Sequence, residues 1–390
     1  MSTYPRSPAG GRPWVDRLAG HINDPIMRLR FLKTVAPHIG PVREARWRRL
    51  PRLRLLVAAA LGTALAVAVM LSLVPLSWPR TRVPTPGASK AVPVAVSPHG
   101  AEPGTAADVW LVEKSGEAET YSNGLRIDNH FLITTHQRRY LAFPVNGGSP
   151  SRRTALAGVV FHTTESPQAP FEADENRTLK KIGESLLEYV RRIRAYNFVI
   201  DRFGRVYRVV AEDQAANHSG FSVWADENWS YINLNESFLG ISFEAVSRPA
   251  QQESQISPAQ VRSAAMLIEM VRSRYQIPAA NFVTHAQVSV NPTNMRGGMH
   301  IDWAAGFPFE AVGLPDNYAA PLPALWCYGF DYDASFKELA GARMRAGLDD
   351  AAAKLAQKAA AAGLRAVDYK TRMRQRYRKL LAEVRRGEPE

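Results

Sequence analysis

The chain has 390 residues, a formal net charge of +13 and a single cysteine. Its positive charge is concentrated at the two ends: residues 1–54 hold twelve Lys and Arg against three Asp and Glu, and residues 334–390 hold fourteen against seven. Because the middle of the chain lacks this excess, the composition argues against nucleic acid as the partner. The lone Cys327 excludes an intrachain disulfide, so a hydrophobic core, with or without a metal, must stabilise any folded domain.

The N-terminal region begins with the basic segment 1–54, and residues 55–78 then carry no charge. A helix over 55–78 would be about 36 Å long, enough to cross a hydrocarbon core of about 30 Å. A cleaved signal peptide is the alternative, but its charged and apolar parts would both be unusually long. We therefore expect a single transmembrane helix in the cytoplasmic (inner) membrane. The arginines before it place the N-terminus inside and the rest of the chain in the periplasm or another extracytoplasmic space.

Three regions follow the apolar segment. Residues 79–107 are rich in proline and predict an extended linker. Residues 108–333 predict one folded domain, with β-like runs at 130–135 and 140–145 and a core at about 155–312. Residues 334–390 are rich in Ala, Lys, Arg and Leu and predict a basic extension of exposed helices at 335–347, 349–363 and 366–386. We interpret this extension as solvated; docking onto acidic wall polymer, anionic lipid or a partner helix is the alternative.

Two helices are predicted inside the domain. Residues 179–193 carry apolar side chains at helical spacing. Ser257 and Pro258 are typical of an N-cap and a first helical position, and the pattern continues to about Arg274. A short apolar run, 282–284, then ends on His285.

Five residues carry the candidate chemistry: His162, Tyr196, His218, His285 and His300. The apolar run 158–161 ends on His162, as a buried strand does when it delivers a ligand to its end. Tyr196 opens two β-rich runs around Gly204, which is typical of a hairpin. His285 and His300 flank a loop rich in Asn and Gly. Ligand-type residues at the ends of separate elements favour one shared metal site.

The same residues carry a family resemblance in seven pieces that follow one another in order. They are the segments at 159–164, 196–207, 216–220, 238–244, 257–260, 282–285 and 301–303. Over about 155–312 the chain resembles the zinc-dependent N-acetylmuramoyl-L-alanine amidases of the second type, whose superfamily includes peptidoglycan recognition proteins and a phage lysozyme-amidase. The resemblance implies an α/β fold with a mixed sheet flanked by helices and one zinc ion. It also implies peptidoglycan or muropeptides as partner, and cleavage of the amide between the muramic acid lactyl group and L-alanine.

The resemblance also implies the ligand set. His162 and His285 occupy the positions of the first two zinc ligands. The family commonly supplies Asp or Cys about ten residues after the second histidine, but Met295 stands there in this chain. Of the two remaining ligand types before Trp303, Asp302 matches an acidic residue that the resemblance does not make a ligand. We therefore expect His300 to complete a three-histidine site, with Asp302 as the alternative.

The catalytic partner has two candidates. Many bacterial relatives carry a glutamate in Gly-Ile-Glu, but this chain has Gly240-Ile241-Ser242, and Glu244 lies about 6.6 Å further along the strand. The form found here resembles the recognition-protein and phage branch, in which the tyrosine before the hairpin assists catalysis. Tyr196 is therefore preferred over Glu244. His218 and Asn217 match a loop lining the substrate cleft and are expected to bind substrate.

The sequence favours an amidase that remodels or recycles the cell wall, and it leaves other functions open. A receptor of the same fold would bind peptidoglycan without cleaving it, and the missing Gly-Ile-Glu glutamate favours that alternative. A membrane-to-wall tether would need no metal. A hydrolase acting on another amide or ester would use the same site. The sequence names no partner for the C-terminal helices.

Overall fold

The computed structural model describes residues 108–248 and 256–387. The strands within these residues are β1 (Leu111–Ser115), β2 (Ala118–Tyr121), β3 (Arg126–Asp128), β4 (Tyr140–Pro144), β5 (Ser151–Arg153), β6 (Gly158–Thr163), β7 (Phe198–Ile200), β8 (Val206–Arg208), β9 (Val223–Ala225), β10 (Trp229–Ile232), β11 (Phe238–Phe243), β12 (Phe282–Thr284), β13 (Val290–Asn291), β14 (Arg296–Gly297) and β15 (Asp331–Tyr332). The helices are α1 (Asn176–Ile193), α2 (Leu234–Ser237), α3 (Pro258–Tyr275), α4 (His285–Val288), α5 (Pro323–Tyr328), α6 (Ala334–Leu339), α7 (Ala342–Ala361) and α8 (Ala366–Gly387).

The main sheet has eight strands in the order β1-β2-β3-β8-β7-β11-β6-β12. Its central strands β7, β11, β6 and β12 are parallel, and their register places Ser242 opposite His162. These strands are buried on both faces, which explains their nearly continuous apolar sequences. Because parallel strands end at the same edge, the residues at the ends of β6, β11 and β12 are neighbours.

The two faces of the sheet have different roles. Along β6, Val159 and Phe161 point to one face and pack in the main core with α3. Val160 and His162 alternate to the other face. On that face α1 packs through residues such as Leu187 against Val199 of β7. The functional side chains therefore lie on the α1 side, and the α3 side is filled with hydrophobic residues.

The two predicted helices inside the domain are confirmed. Helix α1 covers the predicted 179–193 and begins three residues earlier, at Asn176. Helix α3 begins at Pro258 after the N-cap Ser257, whose hydroxyl accepts from Gln260 N while the Gln260 side chain accepts from Ser257 N. This capping box explains why the start of α3 is readable from local sequence alone.

The region before β6 differs in part from its prediction. The predicted run 140–145 forms β4, which joins a second sheet of four strands in the order β5-β4-β10-β9. The predicted run 130–135 forms no strand; only an isolated bridge links Ile133 with Val210. Instead of pairing in a sheet, the side chains of Phe131 and Ile133 pack against the hydrophobic cluster that includes Leu187 of α1.

The C-terminal helices are not a solvated appendage. Met344, Leu348 and Leu355 of α7 and Tyr377 and Leu381 of α8 are buried in the main hydrophobic core. Arg376 of α8 donates to the carbonyl oxygens of Pro144 (2.8 Å) and Val145 (3.1 Å) at the end of β4. The apolar stripe that suggested an external partner is covered by the chain's own domain.

The predicted fold class requires a correction concerning the membrane. Within the stretches 108–248 and 256–387, no helix is long and apolar enough to cross a bilayer. The predicted transmembrane helix at 55–78, with the basic segment 1–54 and the linker 79–107, lies outside the described residues. The architecture that the structure supports for the described residues is a mixed α/β domain with packed C-terminal helices. The predicted cellular location stays a prediction.

Candidate metal centre

His162, His285 and Asp302 form the centre of the candidate site, and all three are buried. His162 lies near the carboxyl end of β6, and His285 is the first residue after β12. Their Nδ1 atoms lie 3.2 and 3.0 Å from Oδ2 of Asp302, and one potential ligand atom from each residue falls within 4.8 Å of the other two. Two imidazoles and a carboxylate at this spacing are a donor set that zinc accepts.

The third ligand expected from the sequence, His300, is not in this cluster. Its side chain is exposed, and its ring stacks on the outer side of His285 with centroids 4.3 Å apart. Hydrogen bonds of the backbone explain why Asp302, and not His300, lies in the cluster. Ala286 N donates to Asp302 O at 3.2 Å, and His300 N donates to the Ser289 hydroxyl at 3.0 Å. These bonds turn Asp302 inward. This geometry favours His162, His285 and Asp302 as the candidate ligand set, where the sequence favoured His300.

His218 is in contact with His162 through its ring. Its Nδ1 is 3.1 Å from Nε2 of His162, and its Nε2 is 3.1 Å from the carbonyl oxygen of Phe238. A carbonyl oxygen only accepts, so Nε2 of His218 carries the proton. Burial lowers the pKa of His218 well below its ordinary value and keeps the ring neutral. Its Nδ1 therefore accepts from Nε2–H of His162.

This chain of hydrogen bonds tests whether the residues fit a metal. Burial, followed by the charge of His285, lowers the pKa of His162 to about 4, so His162 is neutral near pH 7. With its proton on Nε2, His162 directs the lone pair of Nδ1 at the Asp302 carboxylate. Two acceptors facing each other at 3.2 Å repel unless a proton or a metal cation lies between them. The arrangement fits a bound cation, with His218 fixing the tautomer of a ligand.

The charge state of Asp302 agrees with that assignment. Its burial alone would raise the pKa of the carboxyl group. The nearby His285 is the largest influence that opposes burial, and the pKa of Asp302 lies well below its usual range. Asp302 is therefore an anion at neutral pH, as a zinc ligand must be.

The loop that carries His218 is held by two features. Asn235 Oδ1 accepts from the backbone N–H groups of His218, Ser219 and Gly220 at 2.7 to 2.9 Å. On the other side, a Cβ on Gly240 would lie 2.7 Å from Cγ of His218, so only glycine leaves room for this ring above β11. The sequence shows both Gly240 and His218, but it did not indicate that the glycine supports the histidine.

Tyr196 lies beside the cluster, as expected. Its backbone has a φ of 55°, and its half-buried ring is 5.1 Å from the ring of His162. Burial, followed by the negative charge of Asp302, raises the pKa of its hydroxyl above the usual value. The hydroxyl is therefore protonated at neutral pH and can donate a hydrogen bond to an oxygen that gains negative charge.

Glu244 and Asn217 lie elsewhere. The buried Glu244 accepts from Arg202 N at 3.2 Å and lies beside Gly183 of α1, two residues beyond the Ser242 that faces His162. Asn217 donates from Nδ2 to Ile193 O at 3.0 Å and so ties its loop to the end of α1. These contacts give Glu244 no partner in the metal cluster and assign Asn217 a role in holding the backbone.

Comparison with known proteins identifies the domain around this site. Residues 152–299 match the family described as N-acetylmuramoyl-L-alanine amidase. No functionally curated protein matches the chain significantly.

Similar solved structures come from bacteria and from an insect. AmpDh3 from Pseudomonas aeruginosa, solved with an anhydromuramic pentapeptide, is 19% identical with a TM-score of 0.30 over 40% of this chain and 58% of its own. AmiD from E. coli, solved with anhydro-N-acetylmuramic acid-L-Ala-D-gamma-Glu-L-Lys, is 17% identical with a TM-score of 0.30 over 51% and 65%. Drosophila peptidoglycan recognition protein SD is 16% identical with a TM-score of 0.23 over 38% and 82%.

The chain thus spans less than two thirds of the length of the two bacterial proteins. The family match covers both predicted histidine ligands, His162 and His285. Residues 152–299 are therefore similar to the N-acetylmuramoyl-L-alanine amidase family, as the sequence motifs predicted.

Proposed function

We propose that this protein is a zinc-dependent N-acetylmuramoyl-L-alanine amidase that hydrolyses the amide between the muramic acid lactyl group and L-alanine of peptidoglycan or muropeptides. The observation that carries the proposal is the buried cluster of His162, His285 and Asp302, together with the family match of residues 152–299. One zinc ion (Zn2+), when bound there, supplies a Lewis acid for the carbonyl and an activated water.

The residues of the chain have defined parts in this reaction. His162, His285 and Asp302 hold the ion, and His218 keeps Nδ1 of His162 free for it. Tyr196 donates from its protonated hydroxyl to the carbonyl oxygen as negative charge develops there, in the manner of an oxyanion hole. The C–N bond breaks, the lactyl group becomes a carboxylate, and the amine of L-alanine takes a proton.

His300 is our candidate for moving that proton. It is stacked on His285 at an exposed position, and desolvation, followed by the charge of His285, lowers its pKa to about 4. Near pH 7 the ring is therefore neutral and accepts the proton that the attacking water releases, which it then passes to the amine. Glu244 is separated from the cluster by its bond to Arg202 N, so we assign it no catalytic step. Ser242 stands opposite His162, where many relatives carry the glutamate.

The serine at position 242 favours one second candidate function. A receptor that binds peptidoglycan without cleaving it would keep the fold and need no glutamate at position 242. The complete set of two histidines and a carboxylate favours the enzyme, because a binding surface alone has no use for buried ligands with opposed lone pairs.

The test is mass spectrometry of a defined muropeptide incubated with the purified, zinc-loaded protein. The amidase is expected to release a peptide beginning with L-alanine and a sugar with a free lactyl carboxylate. The variant Asp302→Asn should release neither, and Arg152→Gln, at an exposed position on β5, serves as the control. Binding of intact muropeptide without products would establish the receptor instead, and other products would establish a different hydrolase.

A further inference from the structure

A second concave site lies at the opposite end of the sheet from the metal centre. It is a cavity of about 740 Å³ that includes Ala157, at the start of β6, and Asn281, just before β12. The second sheet and helices α5 and α7 complete its walls. Ala157 and His162 are five residues apart on one strand, or about 16 Å at 3.3 Å per residue. The cavity is therefore separate from the metal cluster.

Cations held on tryptophan faces line this cavity. The guanidinium carbon of Arg153 lies 3.9 Å from the ring centre of Trp229. The ammonium of Lys354 lies 3.8 Å from the ring centre of Trp326, and that of Lys358 lies 5.5 Å from the same ring. Desolvation, followed by the charge of Lys358, lowers the pKa of Lys354. The two lysines thus share one aromatic surface, which concentrates positive charge at the cavity.

Among the residues that the structure describes, no Asp or Glu forms an ion pair with Arg153, Lys354 or Lys358. A guanidinium stacked flat on an indole keeps its N–H donors at its edge, where they can pair with a carboxylate in a two-point arrangement. Fixing the cation on the ring also reduces the entropy lost when an anion binds.

Two acids, Asp226 and Glu227, also line the cavity, and neither forms an ion pair with Arg153 or Lys354. Asp226 accepts from the Tyr231 hydroxyl at 2.7 Å, from Trp229 N at 2.7 Å and from Asn281 Nδ2 at 3.3 Å. Glu227 is exposed at the rim. The remaining walls include Tyr140 and Trp224, whose rings are almost fully buried, and the half-buried Trp229, which gives the cavity an apolar surface that a sugar ring can pack against.

We propose that this cavity binds a carboxylate-bearing amino sugar, and that Arg153 and Lys354 recognise its carboxylate. The identity of the sugar rests on the proposed function. The lactyl group of muramic acid is uncharged while it is joined to L-alanine, and it becomes a carboxylate only when the amide is hydrolysed. The cavity therefore discriminates the glycan product from the substrate and holds the chain on glycan that has lost its peptides.

The test compares two sugars that differ in the lactyl group, N-acetylmuramic acid and N-acetylglucosamine, by isothermal titration of the purified protein. N-acetylmuramic acid is expected to bind at least about tenfold more tightly, since a charge-assisted pair contributes about 1.5 to 3 kcal/mol. The double variant R153Q/K354Q should lose this preference. R152Q, which changes a neighbouring exposed arginine, should keep it.

The readouts separate this proposal from that of the amidase. Binding is measured as heat and does not depend on turnover, so a protein without amidase activity can still confirm the cavity. If the double variant folds poorly, the single variant K354Q takes its place in the test. K354Q should weaken the binding of N-acetylmuramic acid. Equal binding of the two sugars, binding of neither, or an unchanged preference in folded R153Q/K354Q would overturn the proposal.

Discussion

Nδ1 of His218 lies 3.1 Å from Nε2 of His162, so a histidine outside the candidate metal cluster determines which nitrogen of His162 faces Asp302. The opposite nitrogen of His218 is fixed by the carbonyl of Phe238, which Arg138 also contacts at 2.9 Å. The ligand is thus oriented through two successive hydrogen bonds from the backbone of β11. This relationship leads to the first prediction.

Replacing His218 by leucine should weaken zinc affinity by about 10- to 100-fold, the usual effect of removing a partner of a ligating histidine. His218→Asn is the matched variant, because its side-chain oxygen can accept from His162 in place of Nδ1. Competition titration with a zinc chelator measures both. Equal affinities for the leucine variant and the parent would show that His218 does not orient the ligand.

Removing only the hydroxyl of Tyr196 tests its role in catalysis. Tyr196→Phe should lower kcat by about 10²- to 10³-fold, the effect of losing one donor to a developing oxyanion. Zinc content and KM should change little, because the phenyl ring keeps the packing beside His162. The assay is turnover of a defined muropeptide. A variant with parental kcat would remove Tyr196 from the mechanism.

The packing of the C-terminal helices gives a prediction on stability. The Tyr377 side chain is fully buried against Tyr328 and Phe330, with ring centroids 5.2 and 4.9 Å apart. Tyr377→Ala should lower the free energy of unfolding by about 3 to 5 kcal/mol, as large aromatic deletions in cores do. Val367→Ala on the same helix, at a position 60% exposed, should change it by at most about 0.5 kcal/mol.

Urea denaturation of the two variants measures the difference. If Tyr377→Ala were as stable as Val367→Ala, α8 would be the solvated extension that composition alone suggests. The present packing instead makes residues up to about 387 part of the domain.

The sequence predicted those features that depend on neighbouring residues. Ser257 and Pro258 define the start of α3 through a capping box, and His162 follows an apolar run that is typical of a buried strand and forms β6. The choice between His300 and Asp302 depended instead on hydrogen bonds between segments distant in sequence. Position after the second histidine could not reveal which side chain the loop turns inward.

The C-terminal helices show the same limit. Their apolar stripe was visible, but the surface that covers it comes from α5 and β4, which no local pattern connects to α7 or α8. His218 was expected to contact substrate because its loop resembled one lining a cleft. Its actual neighbour, the ring of His162, became evident only from the register of β11 with β6.

The most direct test of the metal centre is the zinc affinity of two single variants, Asp302→Asn and His300→Asn, measured by chelator competition on the full chain. Asp302→Asn should weaken the zinc affinity by more than 100-fold, because it removes a ligand. It also leaves the Nδ1 atoms of His162 and His285 without the anion that faces them. His300→Asn should bind zinc as the parent does and lose turnover. Loss of zinc in His300→Asn with retention in Asp302→Asn would contradict the centre described here and restore the three-histidine site.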